Sequence, residues 1–153
     1  MRILRGILAS IVGVATFGVI GVLGSAPAQA AVSCSGTISY SDTIAGPGGA
    51  AIGELTIYYN TSNGGTNSAC FYHRGAAYGV PAPTYVRIYR CTERSGEGQP
   101  CTIAASSSAD SGNYAYYAGP RGVTGTANYC VAAVGSITWQ GSTYLISSGR
   151  QGC

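Results

Sequence analysis

Six cysteines constrain this chain more than any other feature: Cys34, Cys70, Cys91, Cys101, Cys130 and Cys153. All of them follow a stretch that reads as an export signal. Met1-Arg2-Ile3-Leu4-Arg5 is a short basic start, Gly6 to Gly24 carries no charge, and "SAPAQA" ends in the small-x-small sequence Ala28-Gln29-Ala30. The apolar run is broken by Gly13, Gly18 and Gly21 and leads into Pro27, which suits a cleaved signal better than a retained span. The expected organisation is a cleaved secretory signal at 1–30 and a single all-β domain at 31–153. A lipoprotein signal ending at Cys34 is disfavoured, because lipidation there would leave an odd number of cysteines. An even number of cysteines in an exported chain reads as three disulfides.

Cleavage changes the charge argument. The formal charge of the whole chain is +3, but Arg2 and Arg5 leave with the signal, so the remainder carries only about +1. There is no lysine and no arginine cluster. Nucleic-acid binding, which needs several cations on one face, is therefore not expected. After signal removal no membrane association is expected either.

Beyond residue 31 the chain reads as short β-branched and aromatic runs between glycine-rich turns, with no helical stripe of useful length. Candidate strands are 34–40, 53–60, 67–74, 84–91, 101–107, 113–119, 127–137 and 142–148. "TSNGGT" between the second and third places Asn63-Gly64-Gly65 where a hairpin needs positive φ. "TYVRIYRC" alternates, with Val86 and Ile88 on one face and Tyr85, Arg87 and Tyr89 on the other. About eight short antiparallel strands without helices predict an all-β fold, a small disulfide-stapled β-sandwich or barrel. "GPGGA" (46–50) reads as the loosest loop.

Six cysteines allow about 15 pairings, and spacing alone does not select one. Cys91–Cys101 suits a hairpin clip across "TERSGEGQP". Cys34–Cys153 would tie the first strand to the tail, and Cys70–Cys130 would join the two sheets. Cys91 shares parity with the outer-facing Tyr85 and Tyr89, so its bond calls for a bulge or an edge position.

The chemistry on offer is thin. His73 is the single histidine. As a general base it would need a nucleophile and an orienting carboxylate, with Asp42 or Asp110 the candidates. No "GxSxG" elbow is present, and paired cysteines leave no thiolate. His73 is expected to be a structural imidazole. One histidine and disulfide-bound cysteines do not make a zinc site, and the five acids form no calcium-loop spacing and no marked glycosidase pair. No enzyme activity, metal or cofactor is expected.

Tyrosine is the excess, with 12 in the chain. A phenol ring with a wet hydroxyl suits half-buried sheet faces and interfaces. Tyr85, Arg87 and Tyr89 form the candidate binding surface. Residues 92–100, held between two cysteines, resemble a protease-inhibitor loop with Arg94-Ser95 as the bond presented. Its glycines Gly96 and Gly98 argue against the rigidity such a loop needs.

"GTISYSDTI", "IGELTIYYN", "GGTNSACFYHRGAAYG", "GNYAYYAGP" and the terminal "SSGRQGC" resemble the spore-associated protein A family of filamentous actinobacteria (Streptomyces-like). The likeness covers most of residues 31–153 and all six cysteines. It implies a small secreted protein on spores or aerial hyphae with no established enzymatic activity, and supplies no catalytic residues. The expected function is that of a secreted non-enzymatic surface protein, structural or adhesive. Its expected partners are cell-wall glycan or other spore-surface proteins. The alternatives are a hydrolase inhibitor acting through 92–100 and a carbohydrate-binding module using a tyrosine-rich face.

Overall fold

A computed structural model describes residues 32–153; the expected signal at 1–30 lies outside them. Nine strands run in order: β1 (Thr37–Ala45), β2 (Ala51–Asn60), β3 (Thr66–His73), β4 (Ala82–Cys91), β5 (Ile103–Ser106), β6 (Asp110–Tyr114), β7 (Tyr117–Thr124), β8 (Val131–Trp139) and β9 (Ser142–Ser147). Only short 3₁₀ turns interrupt them, at Pro47–Gly49, Ser62–Gly64 and Gly75–Ala77. The all-β expectation holds. Among the described residues no helix is long and apolar enough to cross a membrane.

The strands form two antiparallel sheets with one apolar layer between them. One has the order β1-β2-β3-β7. The other has the order β5-β4-β8-β9, with β6 also paired to β4. Leu55, Ile57, Phe71, Val86, Ile88, Val131, Ala133 and Ile137, drawn from both sheets, are fully buried in the shared cluster. Phe71 spans the layer. A Cβ on Gly53 of β2 or on Gly135 of β8 would collide with its ring, so both positions must lack a side chain.

Several sequence expectations meet their local detail here. The β2–β3 hairpin is in place, with Asn63, Gly64 and Gly65 all at positive φ (54°, 70° and 89°). "GPGGA" closes the β1–β2 connection as a hydrogen-bonded turn, Gly46 N–H donating to the Ala50 carbonyl at 2.9 Å. The predicted strand 113–119 is in fact two, β6 and β7, because the chain changes sheets at Ala115-Tyr116. The predicted strand 127–137 begins only at Val131, Ala127–Cys130 being turn.

The disulfides are Cys34–Cys70, Cys91–Cys101 and Cys130–Cys153. The hairpin clip Cys91–Cys101 is as expected, and the register shift between Arg90 and Cys91 opposite β5 lets the buried Cys91 turn off the outer face. Cys34–Cys153 and Cys70–Cys130 are corrected. Cys70 has the parity of Tyr72, opposite to Phe71, so its sulfur leaves the outer face of the first sheet and cannot cross the core to Cys130. Residues 32–36 pass over that outer face instead, with Val32 against Gly122 and Gly36 against the Tyr59 carbonyl, so Cys34 meets Cys70. The tail pairs with β8 through the bridge Val131–Gln151, which brings Cys153 to Cys130.

Candidate binding site

The N-terminal strap covers half of the outer face of the first sheet and buries Thr56, Ser68 and Cys70 beneath it. The other half is open and aromatic. Glu54, Tyr72 and Tyr117 lie directly across from one another on β2, β3 and β7. Their side chains stand on the outer face because Leu55, Phe71 and Ala118 take the inner one.

Just after β3, Arg74 keeps the same parity. Its Nε donates to Glu54 Oε2 at 2.7 Å, and its guanidinium carbon lies 4.9 Å from the centroid of the Tyr72 ring. Glu54 Oε1 also accepts from the Ser41 hydroxyl at 2.9 Å and the Thr56 hydroxyl at 3.0 Å. The Arg74 guanidinium, outweighing the burial that would raise it, holds the Glu54 carboxyl below its ordinary range. The Tyr72 hydroxyl is hydrogen-bonded to that of Tyr58 at 2.8 Å. Burial, aided by that bond, pushes the Tyr72 phenol upward, so it stays protonated.

Two connections bring the remaining rings. The turn Gly75–Ala77 requires glycine at Gly75, where φ is 51° and a Cβ would stand 2.6 Å from the Ala51 carbonyl oxygen. This turn delivers Tyr78. The β6–β7 corner delivers Tyr116 and Tyr117. It is clamped by Asp110, which accepts from the Tyr114 hydroxyl at 2.7 Å, the Gly119 N–H at 2.6 Å and Arg121 at 3.4 Å. Tyr78 and Tyr116 meet edge to face at 5.1 Å, and Tyr72 and Tyr117 lie 5.8 Å apart. The result is a cleft of about 430 Å³ lined by Tyr72, Arg74, Tyr78, Tyr116 and Tyr117. Tyr78, Tyr116 and Tyr117 are 63%, 53% and 46% exposed, well above what packing rings show.

His73, between two cleft residues in sequence, points the other way. It is fully buried, its Nδ1 3.1 Å from the Ala77 carbonyl and its Nε2 2.7 Å from the Thr84 hydroxyl. Burial pushes its pKa below the ordinary value. The neutral ring donates from Nδ1 to the Ala77 carbonyl, and its Nε2 lies against the Thr84 hydroxyl oxygen, whose one proton also faces the Ala82 carbonyl at 2.8 Å. The imidazole pins the turn that carries Tyr78 to β4. Neither Asp42 nor Asp110 is among its hydrogen-bond partners.

The surface expected from sequence has the predicted parity. Val86 and Ile88 are buried, while Tyr85, Arg87 and Tyr89 stand half-buried on the outer face of the second sheet. Arg87 is largely spent within the protein. Its Nε donates to the Ser107 carbonyl and its Nη2 to the Ser106 hydroxyl, both at 3.0 Å, and it lies 5.4 Å from the Tyr89 ring centroid. Tyr85 borders a hollow of about 160 Å³ with Ser111, Ser136 and Thr138.

Loop 92–100 is better anchored than its glycines suggest. Arg150 donates from Nη1 to the Ser95 carbonyl at 2.8 Å, and its backbone brackets the loop through Gly98 and Gln99. Arg94, however, is folded back. Its Nη2 donates to the Tyr129 hydroxyl at 3.0 Å and its guanidinium carbon lies 4.7 Å from that ring's centroid. A protease taking Arg94 into its specificity pocket would have to strip it from Tyr129. Cys91, Glu93 and Cys101 bring metal-ligating atom types within 4.8 Å of one another, but both sulfurs are consumed by their mutual bond.

The tyrosine cleft escapes sequence reasoning in an instructive way. Alternation in "CFYHR" already sets Tyr72 and Arg74 opposite Phe71 and His73. Tyr78, Tyr116 and Tyr117 join them only because β7 lies beside β3, a pairing that no local signal encodes. Comparison of the chain with protein-family models, with curated proteins and with solved structures finds no match.

Proposed function

We propose that this chain is a secreted, non-enzymatic surface protein of spores or aerial hyphae, attached to cell-wall glycan through the Tyr72–Arg74–Tyr78–Tyr116–Tyr117 cleft. The observation that carries the reading is the cleft itself, which exposes aromatic faces beside an oriented guanidinium. Sugar rings stack on such faces while their hydroxyls take the polar groups at the rim. The three disulfides fit an extracellular protein. The side chains the sequence offers for catalysis have structural uses: the six cysteines are paired and His73 holds Ala77 and Thr84. The resemblance to the spore-associated protein A family supports the location.

The test is fractionation of the protein between washed spores or hyphae and the culture medium. The wild-type chain is expected on the washed surface, and a Tyr72→Ala, Tyr117→Ala double variant in the medium. Wild-type protein found almost wholly in the medium would defeat the proposal.

A further inference from the structure

We infer that the tyrosine cleft selects carboxylate-bearing sugars, the uronic-acid class, over neutral ones, with Arg74 as the selecting residue. The inference rests on the attachment reading above and adds the class of ligand.

Arg74 is held without being used up. Its Nε is taken by Glu54 at 2.7 Å and its plane is supported by Tyr72, whereas its Nη1 and Nη2 make no hydrogen bond among the described residues. A guanidinium bound side-on through Nε keeps its far edge as a fork, which matches the two oxygens of a carboxylate. Glu54 already directs its oxygens to Arg74, Ser41 and Thr56, which take about three of its four acceptor sites. The fork pairs bidentately with a carboxylate or a phosphate, its single positive charge matches a monoanion, and titration with a phosphate sugar separates the two. The hydroxyls of Tyr78, Tyr116 and Tyr117 also bond to none of the described residues, so the rim offers donors and acceptors to the hydroxyls of a sugar. An exposed aromatic face, one rigid fork and a rim of phenols together describe a pyranose carrying a carboxylate.

The experiment is calorimetric titration of the purified protein with a galacturonic-acid oligomer, a chitin oligomer of the same length, glucose 6-phosphate and an acidic proline-rich peptide. The acidic oligomer is expected to bind roughly tenfold more tightly than the neutral one, the value of a charge-assisted hydrogen bond. Arg74→Gln should erase that preference, lowering the acidic oligomer's affinity far more than the neutral oligomer's. Arg74→Lys, which keeps charge but loses the fork, should retain only part of the preference. Tyr117→Ala should weaken both oligomers alike, and near-UV circular dichroism confirms that each variant is folded. Equal binding of acidic and neutral oligomers would overturn the carboxylate inference and leave glycan attachment standing. Preference for the phosphate sugar or the peptide would overturn it too. Binding of no oligomer by the folded wild-type chain would overturn the attachment reading itself.

Discussion

His73 shows at the residue scale how one strand separates two roles. Tyr72 and Arg74 face the cleft, and the histidine between them is sealed in the core. The unfolded chain binds a proton at the ordinary imidazole value of 6.5, the folded chain only below it. The unfolded state therefore holds more protons in that interval, and stability rises with pH across it. The contribution is full above 6.5 and is lost as pH falls from there through the folded value. Melting temperature should accordingly decline between about pH 7.5 and 5.5, and His73→Gln should flatten that decline. The carboxylates do not confuse the window. Glu54 and Asp110 are both shifted below their ordinary values of 4.5 and 3.8, so their losses come at lower pH. The same substitution should cost about 1 kcal/mol near neutrality in urea unfolding, the net value of a lost hydrogen bond, because Ala77 keeps the Val80 N–H and Thr84 keeps the Ala82 carbonyl.

At the scale of elements, the three disulfides secure different things. Cys91–Cys101 closes a hairpin of sequence separation 10, whereas Cys34–Cys70 closes 36 residues and clamps the strap across the first sheet. In the chain-entropy picture the longer closure stabilises by about 1 kcal/mol more. Replacing Cys34 and Cys70 by serine should thus lower the urea midpoint further than replacing Cys91 and Cys101. The difference should exceed the entropic figure, since loosening the strap also exposes Thr56 and Ser68. A difference of only about 1 kcal/mol would mean that the strap adds nothing beyond loop closure, and equal losses would count against the chain-entropy account as well. Element-level expectation from sequence fared well where the signal was local. The hairpin at Asn63-Gly64-Gly65 and the alternation of β4 are both present. It failed where one apparent strand, 113–119, had to serve both sheets.

At the scale of the whole molecule the two sheets are spaced by Phe71, which lies between Gly53 and Gly135. Gly135→Ala should force the ring or the facing strand to shift, at a cost of about 1–3 kcal/mol by overpacking. Thermal unfolding checks this. An unchanged melting temperature would show that the interlayer space has more give than close packing allows. The same spacing sets the cleft from behind, because Tyr72 and Tyr117 stand on the strand positions next to Phe71 and Ala118.

Sequence by itself determined the class of this protein: strands from period-two alternation, turns from glycine and asparagine, and three disulfides from six cysteines behind an apparent export signal. These properties are local or compositional, so they can be read before any contact is known. It also set which side of each strand a residue takes, and with it the outward face of Tyr85, Arg87 and Tyr89. Tertiary structure alone decided how Cys34, Cys70, Cys130 and Cys153 pair and where the tyrosines gather. Both depend on which strands become neighbours, as when β7 returns beside β3 after three strands, β4, β5 and β6, in the other sheet. Strand order reflects the burial of one shared apolar layer, a property of the whole chain that no short segment carries.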